Sequence, residues 1–456
     1  MMQDNRRVTA YALIVSLGGL LFGLDTAVIS GAEQAIQALY KLTNFWHGFT
    51  VAVAIIGAVI GAFSAGPPAE KWGRKKIIVV ISLLFTITSV FSAIAPNWMV
   101  LVICRFLGGL AIGASSVLGP MYIAEIAPAR IRGRLVAFFQ FNVTLGLLVA
   151  YSSNYLLSGT GEWAWRWMLG IVAIPSFLFF VFSLIIPESP RWLAKRGRVG
   201  EARQVLERCG RTDAAGEMSA ILASFSNLPG RQTERLFSRR YARPILYAVL
   251  MGAFNQLSGT NAINYYATRI FEMTGMDNRL SYLLPIFIGL TKVIVLLIAM
   301  QFIDRFGRRS LMILGSVGLI LFMSLIAWSF YGRHFDGPGI LFFLLGYMFF
   351  FGLSDGIVIW VFISEIFPNS IRSKGQSLGS FTHWFFAVII SWTFPVAINS
   401  LSIGPGNAFL FFAVMMLFQL LFSWKLMPET KGKSLEQIQK DLKIGYDEGL
   451  VATHGL

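Results

Sequence analysis

The sequence carries little charge for its length. Only 13% of its 456 residues are Asp, Glu, Lys or Arg, about half the share in a soluble domain, whereas 55% are hydrophobic. This composition argues against a soluble enzyme and favours a polytopic membrane protein. The net charge of +15 does not point to nucleic acid, because the basic residues form short clusters between apolar runs. That is the positive-inside pattern of cytoplasmic loops.

Residues that commonly carry out chemistry are also scarce. The two cysteines, Cys104 in an apolar run and Cys209 in a charged loop, indicate no disulfide framework. The four histidines are scattered, and no metal-ligand cluster or nucleophile–base pair stands out. The Gly-rich segment 109–119 lies in an apolar run, where close helix packing is a better interpretation than phosphate binding. We therefore expect no enzyme activity, no metal and no cofactor.

Long apolar runs, in contrast, are abundant. The only long polar stretch is 188–243, whose basic excess places it in the cytoplasm, and an even helix count then places both termini there. The first run follows MMQDNRRVTA without a cleavage site, so we interpret it as a retained helix. The predicted membrane segments are 10–31, 49–69, 77–96, 98–119, 134–157, 166–187, 244–267, 281–303, 311–331, 339–363, 376–398 and 407–427.

The two sets of six segments repeat each other. AEKWGRKK after segment 2 corresponds to IDRFGRRS after segment 8, and AEIAPARIRGR after segment 4 to SEIFPNSIRSKG after segment 10. PESPRW and PETKGK follow segments 6 and 12. Such a repeat is typical of a transporter whose site lies between the halves. The expected organisation is an N-terminal six-helix bundle (1–187), a cytoplasmic helical linker (188–243), a C-terminal six-helix bundle (244–430) and a cytoplasmic tail (431–456).

The repeated cytoplasmic motifs supply both acidic and basic residues. These can form ion-pair networks that hold the halves together on that side, and simple topology anchoring is the alternative. Anchoring alone needs no Glu or Asp, so we favour the gating network. Its expected members are Glu70, Arg74, Glu125 and Arg132 in the first half and Asp304, Arg308, Glu365 and Arg372 in the second.

One carboxylate, Asp25, lies inside the first apolar run, in LLFGLDTAVISG. An ionised group there is costly and rarely lacks a function. Arg105 lies in the fourth run, and both residues are about 9 to 10 Å from the outer ends of their antiparallel helices. We therefore expect the two to pair, with a static structural ion pair as the alternative to a functional one.

Polar side chains suited to sugar hydroxyls occur in several apolar segments. Segment 7 reads GAFNQLSGTNAINYY, where Asn255, Gln256 and Asn261 flank a Ser-Gly-Thr interruption that could break the helix. Amides both donate and accept, as vicinal hydroxyls require. The other candidates are Gln140 in segment 5, Trp360 in segment 10, and His383 and Trp384 in segment 11, although aromatic residues in apolar segments more often only pack.

These motifs together resemble the signatures of the sugar porter family of the major facilitator superfamily, over most of the chain. The resemblance implies twelve transmembrane helices in two pseudo-symmetric six-helix bundles, and alternating access. LLFGLDTAVISG further resembles bacterial proton-coupled members, such as xylose–proton symporters. In those members the matching carboxylate binds the proton, which assigns Asp25 this role with Arg105 as its partner. By the same resemblance, Gln140, Gln256, Asn261, Trp360 and Trp384 match sugar-contacting positions.

The chain also departs from the family pattern. Bacterial members commonly have a Gln pair in segment 7, where this chain has Asn255 followed by Gln256. They commonly have a Gln before the segment 11 Trp, where it has His383, and an Asn in segment 8, where it has Lys292. Segment 10 lacks the usual Gly-Pro and carries Asp355. Lys292 and Asp355 lie at similar depth, so we favour a compensating salt bridge under a neutral sugar. The alternative is that Lys292 holds an anionic substrate, such as a sugar acid.

The expected function is import of a monosaccharide by alternating access, coupled to proton symport. A passive facilitator, a carrier of sugar acids or polyols, and a sensor without transport activity are the alternatives. The expected partners are the monosaccharide, protons and the lipid bilayer, without nucleic acid, and the expected state is a monomer in a bacterial inner membrane. The residues do not select one sugar.

Overall fold

The computed structural model describes residues 6–210, 213–226, 236–333, 339–368, 371–433 and 435–442. Within these ranges all regular structure is helical, which agrees with the predicted all-α class. Contacts between residues divide the chain into two compact units. Unit 1 comprises Met1–Arg231, Asn261–Val293 and Ser391–Ser400, and unit 2 comprises Gln232–Thr260, Ile294–Ile390 and Leu401–Leu456.

In the described part of the chain, eleven α-helices precede residue 230, and the last three of them lie in the predicted linker, 188–243. The helices are α1 Arg6–Leu39, α2 Asn44–Ser64, α3 Gly66–Trp72, α4 Arg74–Ala93, α5 Trp98–Ile126, α6 Ala129–Leu157, α7 Ala164–Gly170, α8 Ala173–Ser183, α9 Pro190–Lys195, α10 Val199–Arg208 and α11 Ala214–Ser226.

Ten further helices follow in the described part of the chain. They are α12 Ala242–Leu257, α13 Thr260–Tyr265, α14 Ala267–Glu272, α15 Asn278–Phe306, α16 Arg308–Gly332, α17 Gly339–Leu353, α18 Val358–Glu365, α19 Arg372–Ile398, α20 Gly404–Lys425 and α21 Leu435–Asp441.

Small residues let the long helices of unit 1 pack closely. The Asn97 side chain caps α5 by accepting the Val100 N–H at 3.0 Å. Along α5, a Cβ at Gly109 would lie 1.9 Å from the Ala54 carbonyl oxygen of α2, so only glycine allows this approach. The Gly-rich segment 109–119 is therefore a packing surface, as its position in an apolar run predicts.

Eleven helical stretches in the described ranges are long and apolar enough to cross a membrane. The seventh predicted segment is not among them, and its helix is broken. α12 ends at Leu257, Gly259 has φ +87°, and α13 begins at Thr260, so the predicted break at Ser-Gly-Thr is confirmed. A second turn, at 354–357, separates α17 from α18 within predicted segment 10, and the hydrophobic pattern gave no indication of it.

Candidate functional site

Asp25 and Arg105 are in contact inside unit 1. The Arg105 Nη1 on α5 donates to Asp25 Oδ1 on α1 at 2.7 Å, and the two side chains are 3% and 19% exposed, respectively. The depth argument from sequence therefore places the two side chains correctly. Proton binding by Asp25 stays a prediction.

The pair has unused hydrogen-bonding capacity. Arg105 Nε and Nη2 are buried and have no partner among the described residues. A small cavity beside the pair is lined in part by Thr88, Ser89 and Ser92. Hydroxyl groups of this kind can hold water next to a charged pair.

In unit 2, three of the predicted amide and imidazole groups form one cluster. The Gln256 Nε2 donates to Asn255 Oδ1 at 2.8 Å and lies 3.2 Å from His383 Nδ1. The His383 ring is 5.0 Å from the Trp360 ring and 5.4 Å from the Trp384 ring, measured between centroids. Both amides are buried, while Trp360 is 40% exposed. Five substrate-site candidates thus lie together on α12, α18 and α19.

The other three candidates belong to unit 1. Lys292 Nζ on α15 donates to Asn264 Oδ1 on α13 at 2.8 Å. Asn261 is half-buried on α13, and Gln140 is exposed on α6. Asn264 was not predicted, although it lies one helical turn after Asn261 and is the next amide in the same run.

Asp355 is fully buried in the turn between α17 and α18. Its Oδ2 accepts hydrogen bonds from Gln419 Nε2 at 2.9 Å and from Ser354 Oγ at 3.3 Å. Its backbone carbonyl accepts one from Asn255 Nδ2 at 2.9 Å. Lys292 and Asp355 therefore each have an amide partner within their own unit, and a salt bridge between them stays a prediction.

The repeated charged motifs of unit 1 form an ion-pair network centred on Arg74. Its Nη2 lies 3.1 Å from Glu125 Oε1 and 3.0 Å from Glu70 Oε1. Lys195 on α9 lies 2.6 Å from Glu70, and its hydrogen bond, with help from Arg74, holds the pKa of Glu70 below its ordinary value. Arg132 instead donates to the Ala127 carbonyl oxygen at 3.5 Å.

The corresponding motifs of unit 2 form a matching network. Arg308 Nη2 lies 3.0 Å from Glu365 Oε1, and Thr430 Oγ1 donates to Glu365 Oε2 at 2.6 Å. The Nε and Nη2 of Arg372 are buried without a partner among the described residues. Asp304, another predicted member, lies outside the residues whose side chains the structure describes.

Two carboxylates that the sequence argument left out complete these networks. Glu188 accepts the backbone N–H groups of Arg74 and Lys75 at the start of α4, at 2.8 and 3.1 Å. Glu429 accepts those of Arg308 and Arg309 at the start of α16, at 2.9 and 3.0 Å. The PES and PET repeats were the available signal, since an acidic residue beside a helix N-terminus stabilises it.

The helix starts need glycine at the preceding position. Gly73 and Gly307 have φ +100° and +86°, and a Cβ there would lie 2.2 and 2.5 Å from a carboxylate oxygen of Glu188 and Glu429, respectively. Burial alone would raise the pKa of Glu429, but hydrogen bonds from backbone N–H groups outweigh it and lower the pKa. Glycine thus allows each carboxylate to reach the helix end.

A second charged cluster in unit 1 lies at the C-terminal part of α1, and the sequence argument missed it. Arg269 Nε and Nη2 on α14 donate to the two carboxylate oxygens of Glu33 at 2.9 and 2.8 Å. The His47 Nε2 on α2 lies 2.6 Å from Glu33 Oε2, and Gln37 Oε1 accepts from Arg269 at 2.6 Å. Glu33 follows Asp25 by eight residues, about two helical turns, and that spacing was the available signal.

Helices throughout the described residues, a repeated set of membrane-length helices and a buried ion pair are features of a major facilitator transporter. Residues 11–442 match the model of the family described as "Sugar (and other) transporter". The chain belongs to this family.

Three known proteins show how similar the relatives are. The arabinose–proton symporter of Bacillus subtilis is 38% identical, over 93% of this chain and 92% of the relative. The galactose–proton symporter of Escherichia coli is 36% identical, over 99% of this chain and 98% of the relative. The inward-open structure of the Escherichia coli xylose transporter superposes with a TM-score of 0.84 at 33% identity, over 95% of this chain and 99% of that one.

Proposed function

We propose that the protein imports a neutral monosaccharide by alternating access, coupled to proton symport. Relatives named as arabinose–proton and galactose–proton symporters align with nearly the whole chain. All of their named substrates are neutral aldoses. The amides of α12 offer the paired donors and acceptors that such sugars need.

The observation that carries the proton coupling is the Asp25–Arg105 pair. A guanidinium favours the charged carboxylate, whereas burial without a cation favours the protonated form. A conformational change that separates Asp25 from Arg105 therefore promotes proton binding, and proton binding in turn promotes separation. Such reciprocity couples proton movement to the transport cycle.

We propose that Asn255, Gln256, His383, Trp360 and Trp384 bind the sugar. Gln140, Asn261 and Lys292, the candidates of unit 1, stay predicted sugar contacts. The aromatic rings next to His383 supply an apolar face, and the amides supply directional hydrogen bonds. An apolar face beside paired donors and acceptors suits the hydroxyl groups and ring of a neutral sugar. We propose that the protein uses no cofactor and binds no nucleic acid. We also propose that it is a monomer, and light scattering of the purified protein in detergent tests the oligomeric state.

A second candidate is a carrier of sugar acids, because Lys292 places a cation among the substrate-site candidates. Its bond to Asn264 favours a structural role, so the neutral sugar remains the first choice. A competition panel of neutral sugars, polyols and sugar acids against one labelled sugar distinguishes the two. Competition by sugar acids alone would favour the second candidate.

The decisive variant is Asp25→Asn. It should abolish uphill sugar accumulation in proteoliposomes with an imposed pH gradient, yet retain sugar counterflow, because Asn cannot release a proton. The matched control is Asp277→Asn, an exposed residue whose Oδ1 caps the Leu280 N–H and which asparagine replaces conservatively. Uphill accumulation by Asp25→Asn would contradict the proton-coupling role.

We propose further that the protein lies in a bacterial inner membrane with both termini in the cytoplasm. The basic excess of 188–243 supports this orientation. In a background with Cys104→Ala and Cys209→Ala, Lys195→Cys and Asp277→Cys should react with a membrane-impermeant maleimide from opposite sides in sided vesicles.

A further inference from the structure

We infer that Asp355 is a second proton-binding carboxyl group, a neutral acid that donates a hydrogen bond to Gln419. The assignment of this proton stands on geometry alone. Only its consequence for sugar binding rests on the proposed function.

The first observation is the burial of an acid without a cation. Asp355 is 0% exposed, and the ion pairs of unit 2 among the described residues do not include it. A buried ionised carboxylate is stable only when it is paired and its oxygens are well supplied with hydrogen-bond donors. The supply here comes from neutral groups, Gln419 and Ser354, and both donate to Oδ2.

The second observation concerns the two remaining oxygens. Asp355 Oδ1 and Gln419 Oε1 are both buried and lack a hydrogen-bond partner in the described structure. Both are acceptors, so neither can satisfy the other while Asp355 is ionised. Their side chains are already joined by the 2.9 Å bond from Gln419 Nε2 to Asp355 Oδ2.

A single proton on Asp355 Oδ1 gives both oxygens a hydrogen-bond partner. The neutral acid then donates O–H to Gln419 Oε1 and accepts N–H from Gln419 Nε2, as a carboxylic acid and a primary amide do in a cyclic pair. A buried polar atom without a partner is unfavourable, so protonation removes two such penalties and the charge together. Gln419 Nε2 also lies 3.1 Å from Ser316 Oγ, which holds the amide in place.

The acid–amide pair supports the sugar-site cluster. Asp355 sits in the turn between α17 and α18, and its carbonyl holds the Asn255 side chain, which in turn holds Gln256. Loss of the proton would set a negative charge against Gln419 Oε1 and loosen this turn. We therefore expect sugar affinity to fall as the pH rises.

Other titratable groups near Asp355 belong to neighbouring helices. On α17, Tyr347 donates its hydroxyl to the Ser258 carbonyl oxygen at 3.1 Å, and on α19, His383 lies beside Gln256. α12, α16 and α20 present uncharged groups, namely Asn255, Ser316 and Gln419, and α15 packs Val295 against Leu353. Lys292, three residues before Val295, is bonded to Asn264.

Infrared difference spectroscopy of the full-length protein in liposomes tests the proton directly. At neutral pH the wild-type spectrum should contain a neutral carboxylic acid band that Asp355→Asn lacks. Gln419→Leu should shift the same band to higher frequency, because the acid loses its amide partner. A wild-type spectrum without an acid band assignable to Asp355 would overturn the proposal.

Sugar binding provides the second test, in an Asp25→Asn background that removes the titration of Asp25. With Asp355 present, affinity should fall at least about threefold from neutral to alkaline pH, whereas with Asp355→Asn the fall should be smaller. The asparagine of Asp355→Asn retains an N–H donor for Gln419 Oε1, so this variant should bind sugar better than Asp355→Leu. If Asp355→Asn instead loses binding and Lys292→Met restores it, Asp355 is an ionised partner of Lys292 and the proposal is wrong. Should Asp25→Asn itself fail to bind sugar, the proposed function fails while the infrared result still stands.

Discussion

Ionisable and amide side chains inside the apolar segments are joined across helices. Arg105 on α5 binds Asp25 on α1, and Lys292 on α15 binds Asn264 on α13. Asp355 binds Gln419 on α20. A polar group in a membrane interior needs such a partner, because lipid provides none.

Gln256 tests the sugar cluster at the scale of one residue. Gln256→Ala should weaken sugar binding by about 1–3 kcal/mol, the cost of leaving a buried hydroxyl or amide unpaired. Calorimetry measures the affinity, and thermal unfolding in parallel separates lost contact from lost structure. Gln376→Ala, at an exposed site on α19, is the control. An affinity unchanged in Gln256→Ala would move the sugar site elsewhere.

Sequence reasoning identified single residues well when two simple constraints met. Asp25 and Arg105 are charged, lie in apolar runs and have matching depth, so their contact could be predicted. The contacts of Asn264 with Lys292 and of Gln419 with Asp355 could not be predicted. An amide in an apolar segment has many possible partners, and depth alone does not choose among them. The missed Glu33 cluster joins three helices whose rotations about their axes are not encoded in any short motif.

Broken helices are the main feature at the scale of elements. The break between α12 and α13 separates the buried amides Asn255 and Gln256 from Asn261 and Asn264. The turn between α17 and α18 places the Asp355 carbonyl against Asn255. Breaks of this kind free backbone groups for binding where they line a cavity or are buried in protein. The first break was predictable from Ser-Gly-Thr. The second was not, because its sequence, Ser-Asp-Gly-Ile, contains no Gly-Pro dipeptide and the turn depends on tertiary contacts.

Gly259 should be indispensable to the first break. A Cβ there would lie 2.6 Å from Phe412 Cδ2, in addition to the strain of φ +87°. Gly259→Ala should therefore destabilise the protein more than Gly275→Ala, where φ is +78° and nothing lies within 4 Å. The backbone strain alone costs about 1–2 kcal/mol. Thermal unfolding in detergent compares the two, and equal losses would mean that the Phe412 contact yields easily.

The Glu33 cluster predicts coupling between α1 and α14. Arg269→Gln should strand the buried Glu33 carboxylate and cost about 3–5 kcal/mol, while Glu33→Gln combined with Arg269→Gln should recover much of that loss. Hydrogen exchange at 267–272 and thermal unfolding provide the two readouts. Arg279→Gln, at an exposed site, is the control. Additive losses in the double variant would show that the two residues do not act as a pair.

The internal repeat dominates the scale of the whole molecule. Each unit has its own arginine bound to a glutamate, Arg74 to Glu125 and Arg308 to Glu365. Each also has a second glutamate at a helix start. The repeat and the hydrophobic pattern together predicted the fold class, because both are long-range regularities of the sequence. Division of the chain into units by contact differs from a simple division into sequence halves, because 261–293 groups with unit 1.

Glu429 should make the stability of the folded protein depend on pH. Its pKa in the folded protein is lowered, so the carboxylate contributes stability above its unfolded pKa of about 4.3 and loses it as the pH falls through the folded value. Glu429→Gln should therefore be less stable than wild type at neutral pH, with the difference shrinking in acid. Thermal unfolding across acidic pH measures this, with Glu207→Gln as an exposed control. A difference that grows in acid would contradict the assignment.

The central claim is that sugar and protons cross the membrane together. It is tested most directly by adding a transported sugar to lightly buffered proteoliposomes, without an imposed gradient, and recording the external pH. The account predicts alkalinisation that depends on the sugar, is abolished by a protonophore and is absent in Asp25→Asn. Sugar entry measured in the same vesicles without any change in pH would contradict it.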